Sequence, residues 1–232
     1  MCGRVRLVSD WSEIKIKLKF DAGAPAPNFE AHWNMPPTAP MLVAVRSIDG
    51  KRVPKMMRWG LLPHWAKDEK LSFSTFNARS EDFTRKPAFR DAWKRGQRCL
   101  VVTDGFYEWK KLDPKGRKKQ PYAIAIADNA PMVMAGLWEK WKEPKSGAEV
   151  LSCTVLTCGP NTVMGELHDR MPVILDESDW PLWLGEVPAT EVELLALMTP
   201  CPDDVLKVWP VDRAVGNAKA NGPQLVAPCL LE

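Results

Sequence analysis

The second residue of the chain can become a 1,2-aminothiol, a group that reacts with aldehydes. Cys2 follows the initiator Met1 and precedes Gly3. A small residue after the initiator methionine normally permits its removal, which would leave cysteine with a free α-amine beside its thiol. The α-amine has a pKa of about 7.7–8.0, so a useful fraction is neutral at physiological pH. The amine can add to an aldehyde to form a Schiff base, and the thiol can then close onto the same carbon. Cys2 is therefore a candidate covalent nucleophile.

Proton transfer during such an addition requires a carboxylate or an imidazole near the reacting atoms. Glu108 lies in a strand-like run between Tyr107 and Trp109, so its side chain points away from both aromatic side chains. A carboxylate flanked in this way is a candidate for a partly desolvated acid or base. His168 is one of only three histidines in the chain. These two side chains are candidates for general acid and base catalysis.

The composition is that of an ordinary soluble globular protein, with 232 residues, 45% hydrophobic and 26% charged. A net charge of +3 permits a polyanionic partner without requiring one. The six cysteines form no C-x-x-C pair, so we expect neither a zinc site nor a disulfide framework, and no metal or cofactor. The start lacks the apolar segment of a signal peptide, and no apolar run is long enough to cross a membrane. We expect a cytoplasmic protein.

The elements that must position these residues are mainly short strands. Hydrophobic alternation predicts strands at residues 41–48, 53–59, 98–102, 106–111, 122–127, 132–138, 150–157 and 172–175. Helices are predicted at residues 87–95, 178–184 and 190–198. Residues 11–20 alternate like a strand but follow a helix-start pattern from Asp10 to Glu13, and we favour a helix. The succession of strands predicts an α+β fold: a single domain over residues 1–232 with a curled, mainly antiparallel β-sheet core and a few flanking helices.

Residues 110–119 join two of these predicted strands. They are rich in lysine and contain the turn sequence Asp113-Pro114-Lys115-Gly116. This pattern predicts a hairpin loop. We interpret its charges first as those of a solvated loop tip, with phosphate contact as the alternative.

Six motifs follow one another along the chain, and together they carry a resemblance. They are MCGR at 1–4, WNMPPT at 33–38, NARSE at 77–81, DGFYEW at 104–109, HDRMP at 168–172 and PVDRAVGN at 210–217. The chain resembles the SRAP (SOS response-associated peptidase) family, including its bacterial YedK-like members, from residue 2 to about residue 228. The resemblance implies a protein that cross-links to abasic sites in single-stranded DNA through a thiazolidine on its N-terminal cysteine. It also implies that the protein removes its own initiator methionine.

The resemblance assigns roles to individual residues. It implies an active site made of Cys2, Asn77, Glu108 and His168. Asn77 would orient the reacting sugar, Glu108 would act as the general acid and base, and His168 would give a proton to the sugar oxygen during ring opening.

The expected partner is single-stranded DNA that contains an abasic site, bound by a monomer that associates with the nucleoid when on DNA. Guanidinium groups match phosphate geometry, and stacking on tryptophan suits exposed bases. The residues that we expect to contact DNA are Arg4, Asn34, Trp65, Arg79, Trp109 and Arg170. Ala66 stands where YedK-like members often carry a second aromatic residue, so the stacking platform near Trp65 is expected to be smaller.

Two other functions fit some of the same residues. A cysteine peptidase that acts on other proteins could use Cys2 and His168, although the sequence declares no oxyanion hole and no peptide groove. A noncovalent reader of single-stranded or modified DNA would need only the arginines and tryptophans. A denaturation-resistant adduct with abasic DNA distinguishes the first interpretation from both alternatives.

Overall fold

The computed structural model describes residues 3–230 of the chain, so the expectations for Met1 and Cys2 lie outside the described residues. The strands are β1 Val5–Leu7, β2 His32–Met35, β3 Pro40–Arg46, β4 Arg52–Trp59, β5 Asn77–Arg79, β6 Arg98–Thr103, β7 Gly105–Lys111, β8 Lys119–Ile126, β9 Met132–Lys142, β10 Glu149–Cys158, β11 Met171–Pro172 and β12 Leu206–Pro210. The α-helices are α1 Trp11–Lys17, α2 Arg90–Lys94, α3 Thr162–Gly165, α4 Trp180–Leu184 and α5 Glu191–Ala196. Short 3-10 helices lie at Glu69–Phe73, Glu177–Asp179, Asp203–Val205, Arg213–Gly216 and Pro223–Val226.

The larger of the two sheets in this part of the chain closes on itself through β10. Strands β4, β3, β6 and β9 follow in order, and β10 pairs with β4 at one end and with β9 at the other. The β9–β10 pairing is antiparallel, whereas β10 runs parallel to both β4 and β5. Further along, β10 also pairs with β11. Closure removes the free edges that an open sheet would expose.

The second sheet has the strand order β12-β8-β7-β1-β2, and every pairing in it is antiparallel. It packs against the closed sheet, because Val5 and Phe106 from one sheet and Val43, Val101 and Leu156 from the other belong to the same buried cluster. Tyr107 and Ala123 face the opposite side of the second sheet, where the C-terminal segment covers them with Val211, Val215 and Leu225. The second sheet is therefore buried on both faces.

The expected α+β fold with a curled, mainly antiparallel sheet is confirmed. The segment after Asp10 is a helix, because Asp10 caps it by accepting from the Glu13 N–H, and Ile14 and Leu18 are both fully buried one turn apart. Ile16, which the strand pattern would have grouped with them, is 78% exposed.

The helix near residue 90 is shorter than predicted, since α2 begins at Arg90 and Phe89 provides no side-chain cap. Helix α5 begins after Thr190 with the expected capping box to Glu193. Strands β1, β2, β5 and β12 were not predicted. All four have five residues or fewer with no clean alternation in burial, and all four depend on long-range pairing. No helix between residues 3 and 230 combines the length and the apolar character needed to span a bilayer.

Gly105 makes the tight turn from β6 into β7 possible, and its substitution gives a test of the fold. Its φ is +145°, and a Cβ there would overlap with the carbonyl oxygen of Ile124. We expect Gly105→Ala to lower the free energy of unfolding by about 2–5 kcal/mol, through backbone strain and overpacking. Urea unfolding measures the change. Gly23→Ala is the control, because a Cβ at Gly23 meets nothing within 4 Å; equal midpoints for the two variants would contradict the expectation.

Candidate nucleic-acid interface

An open cleft of about 660 Å³ lies between the start of the β7–β8 hairpin and the loop that follows α3. Four of the residues expected to act on or bind DNA line it: Arg79, Trp109, His168 and Arg170. Lys110, Lys111, Glu166 and Asp169 also border the cleft, so four cations and two carboxylates surround it. Lys110 and Lys111 were not among the residues expected to contact DNA, although phosphate contact was the alternative interpretation of the charged loop that contains them. The cleft is a cationic surface with one aromatic wall.

Glu108 and Trp109 lie on strand β7, which borders this cleft. Glu108 is 4% exposed, and its Oε1 accepts a hydrogen bond from the Trp109 backbone N–H at 3.2 Å. Tyr107 points the other way, is fully buried, and donates its hydroxyl proton to the Trp33 carbonyl at 2.7 Å. The strand that the sequence predicted here is confirmed, and Glu108 is a buried carboxylate beside the aromatic wall of the cleft.

Asn77 and Arg79 sit on the three-residue strand β5. It runs parallel to β10, with Asn77 opposite Val155 and Arg79 opposite Thr157. Because alternate residues of a strand share a face, Asn77 and Arg79 project to the same side. Asn77 is 9% exposed, whereas Arg79 is exposed and lines the cleft. The buried amide and the open guanidinium thus lie along one edge of the site.

His168 comes at the end of the loop after α3 and is about one quarter exposed. Its Nδ1 accepts the Arg170 backbone N–H at 3.1 Å. The Asp169 carboxylate lies 2.7 Å from the same nitrogen and forms an ion pair with the ring when the ring is charged. With Nδ1 held in this way, Nε2 is the nitrogen suited to proton transfer.

Arg170 donates hydrogen bonds to two other residues, Glu81 and Thr157. Its Nη1 and Nη2 donate to the two carboxylate oxygens of Glu81 at 2.8 and 2.9 Å. Its Nε and Nη2 also donate to the Thr157 hydroxyl and carbonyl. The Arg170 hydrogen bonds lower the pKa of the Glu81 carboxyl. The guanidinium therefore already has a carboxylate partner, and a DNA phosphate at Arg170 would share or displace Glu81. Its direct contact with DNA stays a prediction.

Arg4, just before β1, and Asn34, near the end of β2, form a single hydrogen-bonded unit. Arg4 Nη1 donates to the Asn34 amide oxygen at 2.9 Å and to the Val215 carbonyl at 3.0 Å. The Asn34 amide nitrogen donates to the carbonyls of Val215, Asn217 and Ala220. Asn34 is fully buried, so a direct contact with DNA would require these bonds to break.

Arg4 links this buried unit to the aromatic wall of the cleft. Its guanidinium lies 6.0 Å from the centre of the Trp109 ring. Burial lowers the pKa of the Arg4 guanidinium, and the nearby Tyr107 opposes this effect. Trp65 does not join the same cleft. It is 47% exposed beside the buried Ala66, whose carbonyl accepts a hydrogen bond from the Trp141 indole at 2.7 Å.

The four buried thiols of the described residues are poor nucleophiles. Burial raises the pKa of Cys153 and Cys158 to about 12 and that of Cys201 to about 11, and it raises the pKa of Cys99 well above its usual value. Since the thiolate is the reactive form, these side chains are inert at neutral pH. Between residues 3 and 230 there is also no group of three or more His, Cys, Asp or Glu side chains that could hold a metal ion.

The fold and the cleft define a class of α+β protein with a cationic, tryptophan-walled groove and buried polar side chains at its edge. A family model described as SOS response associated peptidase (SRAP) matches residues 1–218. The chain belongs to this family.

Some known proteins match this chain in sequence, and solved structures match it in fold. The abasic site processing protein YoqW of Bacillus subtilis (strain 168) is 36% identical over 226 residues, which cover 97% of this chain and 99% of that protein. The abasic site processing protein HMCES of Xenopus tropicalis is 32% identical over 234 residues, 88% of this chain and 68% of that protein. A crystal structure of a Bacteroides thetaiotaomicron protein shares the fold, with a TM-score of 0.83 at 21% identity over 99% of this chain and 100% of that one. A Bordetella bronchiseptica protein has a TM-score of 0.76 at 27% identity, covering 91% of this chain and 100% of that chain.

His32 gives the region around Arg4 a pH dependence. Its Nδ1 accepts the Asn34 backbone N–H at 3.1 Å, and its pKa is lowered by burial and then by the charge of Arg4. Below the ordinary histidine pKa of about 6.5, the unfolded chain therefore binds this proton more readily than the folded protein. We expect the folded protein to lose stability as the pH falls through that value, and His32→Asn to lose less.

Urea unfolding of both proteins at pH 8 and pH 5 measures this difference. His64→Asn is the control, because His64 is half exposed and lies outside this region. Parallel losses in the wild-type protein and the His32 variant would contradict the expectation.

Proposed function

We propose that this protein captures abasic sites in single-stranded DNA by forming a covalent bond through Cys2, after it has removed Met1. The observation that carries the proposal is the cleft lined by Arg79, Trp109, His168 and Arg170 in a member of the SRAP family. Relatives that match nearly the whole chain are named abasic site processing proteins. An abasic sugar supplies the aldehyde that an aminothiol captures.

The reaction balances without an oxidant, a reductant or a metal. The ring-opened sugar presents an aldehyde at C1, and the neutral α-amine of Cys2 adds to that carbon. Loss of one water molecule gives a protonated Schiff base. The thiolate then forms a bond to the same carbon, and the π electrons of the carbon–nitrogen double bond return to nitrogen. This step restores the amine and closes a five-membered thiazolidine. The net change is one water molecule released for one carbon–nitrogen and one carbon–sulfur bond formed.

Buried Glu108 suits the proton transfers at nitrogen, because a desolvated carboxylate can both accept and return a proton. In this proposal His168 gives a proton to the sugar oxygen from Nε2 during ring opening, and the Asp169 carboxylate 2.7 Å from Nδ1 stabilises the charged ring. The amide of Asn77 can hydrogen-bond the sugar hydroxyls. The proposal requires Cys2 to reach this region from Arg4, whose carbonyl accepts the Tyr107 N–H next to Glu108. Two residues of chain span at most about 7 Å.

Two features favour single-stranded DNA as the partner. Trp109 forms the aromatic wall on which an unpaired base can stack, and Arg79 is exposed beside it. Phosphate contacts of this kind do not read sequence, so binding is expected to be independent of the flanking bases. We infer a monomer that works in the cytoplasm and associates with the nucleoid on damaged DNA.

The two alternatives have weaker support. A peptidase that cleaves other proteins needs a groove with backbone donors for an oxyanion, and the cleft is instead lined by cations. A noncovalent DNA reader uses the same cleft without Cys2. Proteolysis confined to Met1 is compatible with the proposal.

Substitution of the nucleophile gives the first test. Cys2→Ala is expected to abolish the denaturation-resistant adduct with an oligonucleotide that contains one abasic site, because ring closure needs the thiol. Noncovalent binding should be retained, since the cleft is unchanged. Gel electrophoresis under denaturing conditions measures the adduct, and intact mass measurement reports whether Met1 is absent. Cys229→Ala, which removes a half-buried thiol, is the control. An undiminished adduct with Cys2→Ala would refute the assignment.

The role of the buried carboxylate gives a second test. Glu108→Gln keeps the shape of the side chain and removes its proton chemistry, so we expect adduct formation to slow by about 10²-fold or more. Single-turnover kinetics with the wild-type protein and the variant measure the rate. Glu139→Gln is the matched control, because Glu139 on β9 is equally buried but pairs with Arg95, which follows α2. Equal rates for Glu108→Gln and the wild-type protein would remove Glu108 from the mechanism.

A further inference from the structure

Residues 110–119, which we call the basic hairpin, concentrate the positive charge of the chain. They contain six cations and one carboxylate: Lys110, Lys111, Lys115, Arg117, Lys118, Lys119 and Asp113. The whole chain has a net charge of only +3, so the chain without these ten residues has a net negative charge. The charge of this protein is therefore strongly uneven.

The charges of the basic hairpin are not neutralised by the protein. Lys111 lies directly opposite Lys119 across the β7–β8 ladder, an arrangement of like charges that destabilises a sheet. Asp113 turns into the loop, where it accepts the Arg117 backbone N–H at 2.7 Å. Of the six cations, Lys110 alone has an ion pair within residues 3–230, with Glu166 at 3.5 Å. The hairpin thus keeps an electrostatic cost that an external polyanion would relieve.

The next hairpin along the chain, β9–β10, shows how a similar loop is neutralised. Lys140 pairs with Glu149 across its strands at 2.6 Å. Lys142 and Lys145 are exposed there as well, but Glu143 lies between them in sequence. Long exposed hairpins in this protein therefore need no excess of positive charge, and the excess is confined to the hairpin that borders the cleft.

The position of the basic hairpin connects it to the cleft. Trp109, Lys110 and Lys111 at its base are among the residues that line the cleft. Lys115, Arg117 and Lys118 at its tip are exposed and lie beyond the cleft. A polyanion that leaves the cleft at Lys111 could extend to the cations at the tip.

We propose that the basic hairpin is a second DNA contact, which binds the backbone phosphates of nucleotides that flank the abasic site. Its tip does not touch the lesion, so it raises strand affinity and leaves the covalent step to the cleft. The identity of the polyanion rests on the proposed function, whereas the binding of a single strand can be measured without any lesion.

The experiment compares two triple variants of equal charge change. One replaces Lys115, Arg117 and Lys118 with glutamine, and the control replaces Lys140, Lys142 and Lys145 with glutamine. Binding of an undamaged single strand of about 20 nucleotides is measured by fluorescence anisotropy at several salt concentrations. Three lost phosphate contacts reduce the slope of log K against log salt by about 2. We expect this reduction for the basic-hairpin variant and an unchanged slope for the control; matching slopes for both variants would overturn the proposal.

A second measurement separates this proposal from the proposed function. Abasic oligonucleotides of about 5 and about 20 nucleotides are compared for adduct formation at limiting protein. We expect the basic-hairpin variant to form adduct more slowly than the wild-type protein on the long strand only. Absence of any adduct with wild-type protein would refute the covalent function and leave the salt slope as the test of the hairpin. Equal slowing on both strands would place the tip at the lesion and overturn the proposal.

Discussion

The pairing of strand β10 along both of its edges is the constraint on which the rest of the structure depends. In the described part of the chain, β10 joins β4 and β5 on one edge and β9 and β11 on the other. At its C-terminal end, Thr157 is opposite Arg79 on one edge and Pro172 on the other. Thr157 also accepts hydrogen bonds from Arg170. Segments about ninety residues apart in sequence therefore meet at one strand end, with His168 and the cleft beside them.

The second sheet supplies the other wall of the site through a different set of contacts. Strand β7 carries Glu108 and Trp109, while β1 brings Arg4 against the Trp109 ring. Asn34 accepts a hydrogen bond from Arg4 and donates hydrogen bonds to the carbonyls of Val215 and Ala220. The segment from Val215 to Ala220 covers the outer face of the sheet, so the motif near the C-terminus stabilises the start of the chain and lies away from the cleft. Packing therefore explains why residues 210–217 are one of the six motifs.

The cations near the site differ in whether groups of the protein already bind them. Two guanidinium groups near the site, Arg4 and Arg170, are held by protein acceptors, whereas Arg79 and Lys111 are exposed. Held guanidinium groups lose their freedom before any ligand binds and so cost less to order on binding. Open ones respond to salt and supply long-range attraction. The cleft combines both kinds of cation.

Much of the fold was predictable because its longer elements carry strong local patterns. The strands from residue 98 to residue 157 alternate or run continuously apolar, and the helices after Asp10 and Thr190 begin with capping residues whose bonds form as expected. Strands β1, β2, β5 and β12 were missed since a strand of three to five residues has too short a pattern to read. Their pairing partners come from distant parts of the chain.

The sequence by itself determined the chemical groups: a cysteine at position 2 that is an aminothiol if Met1 is removed, a carboxylate between two aromatic residues, a histidine beside an acid, and a lysine-rich turn. These follow from residue type and local spacing, which do not change on folding. Only the tertiary structure decided which arginines are open and which are held, that Asn34 is buried, that Glu81 pairs with Arg170, and that Trp65 lies outside the cleft. The reason is physical, because burial and hydrogen-bond partners depend on strands that are distant in sequence and meet only when the sheet closes.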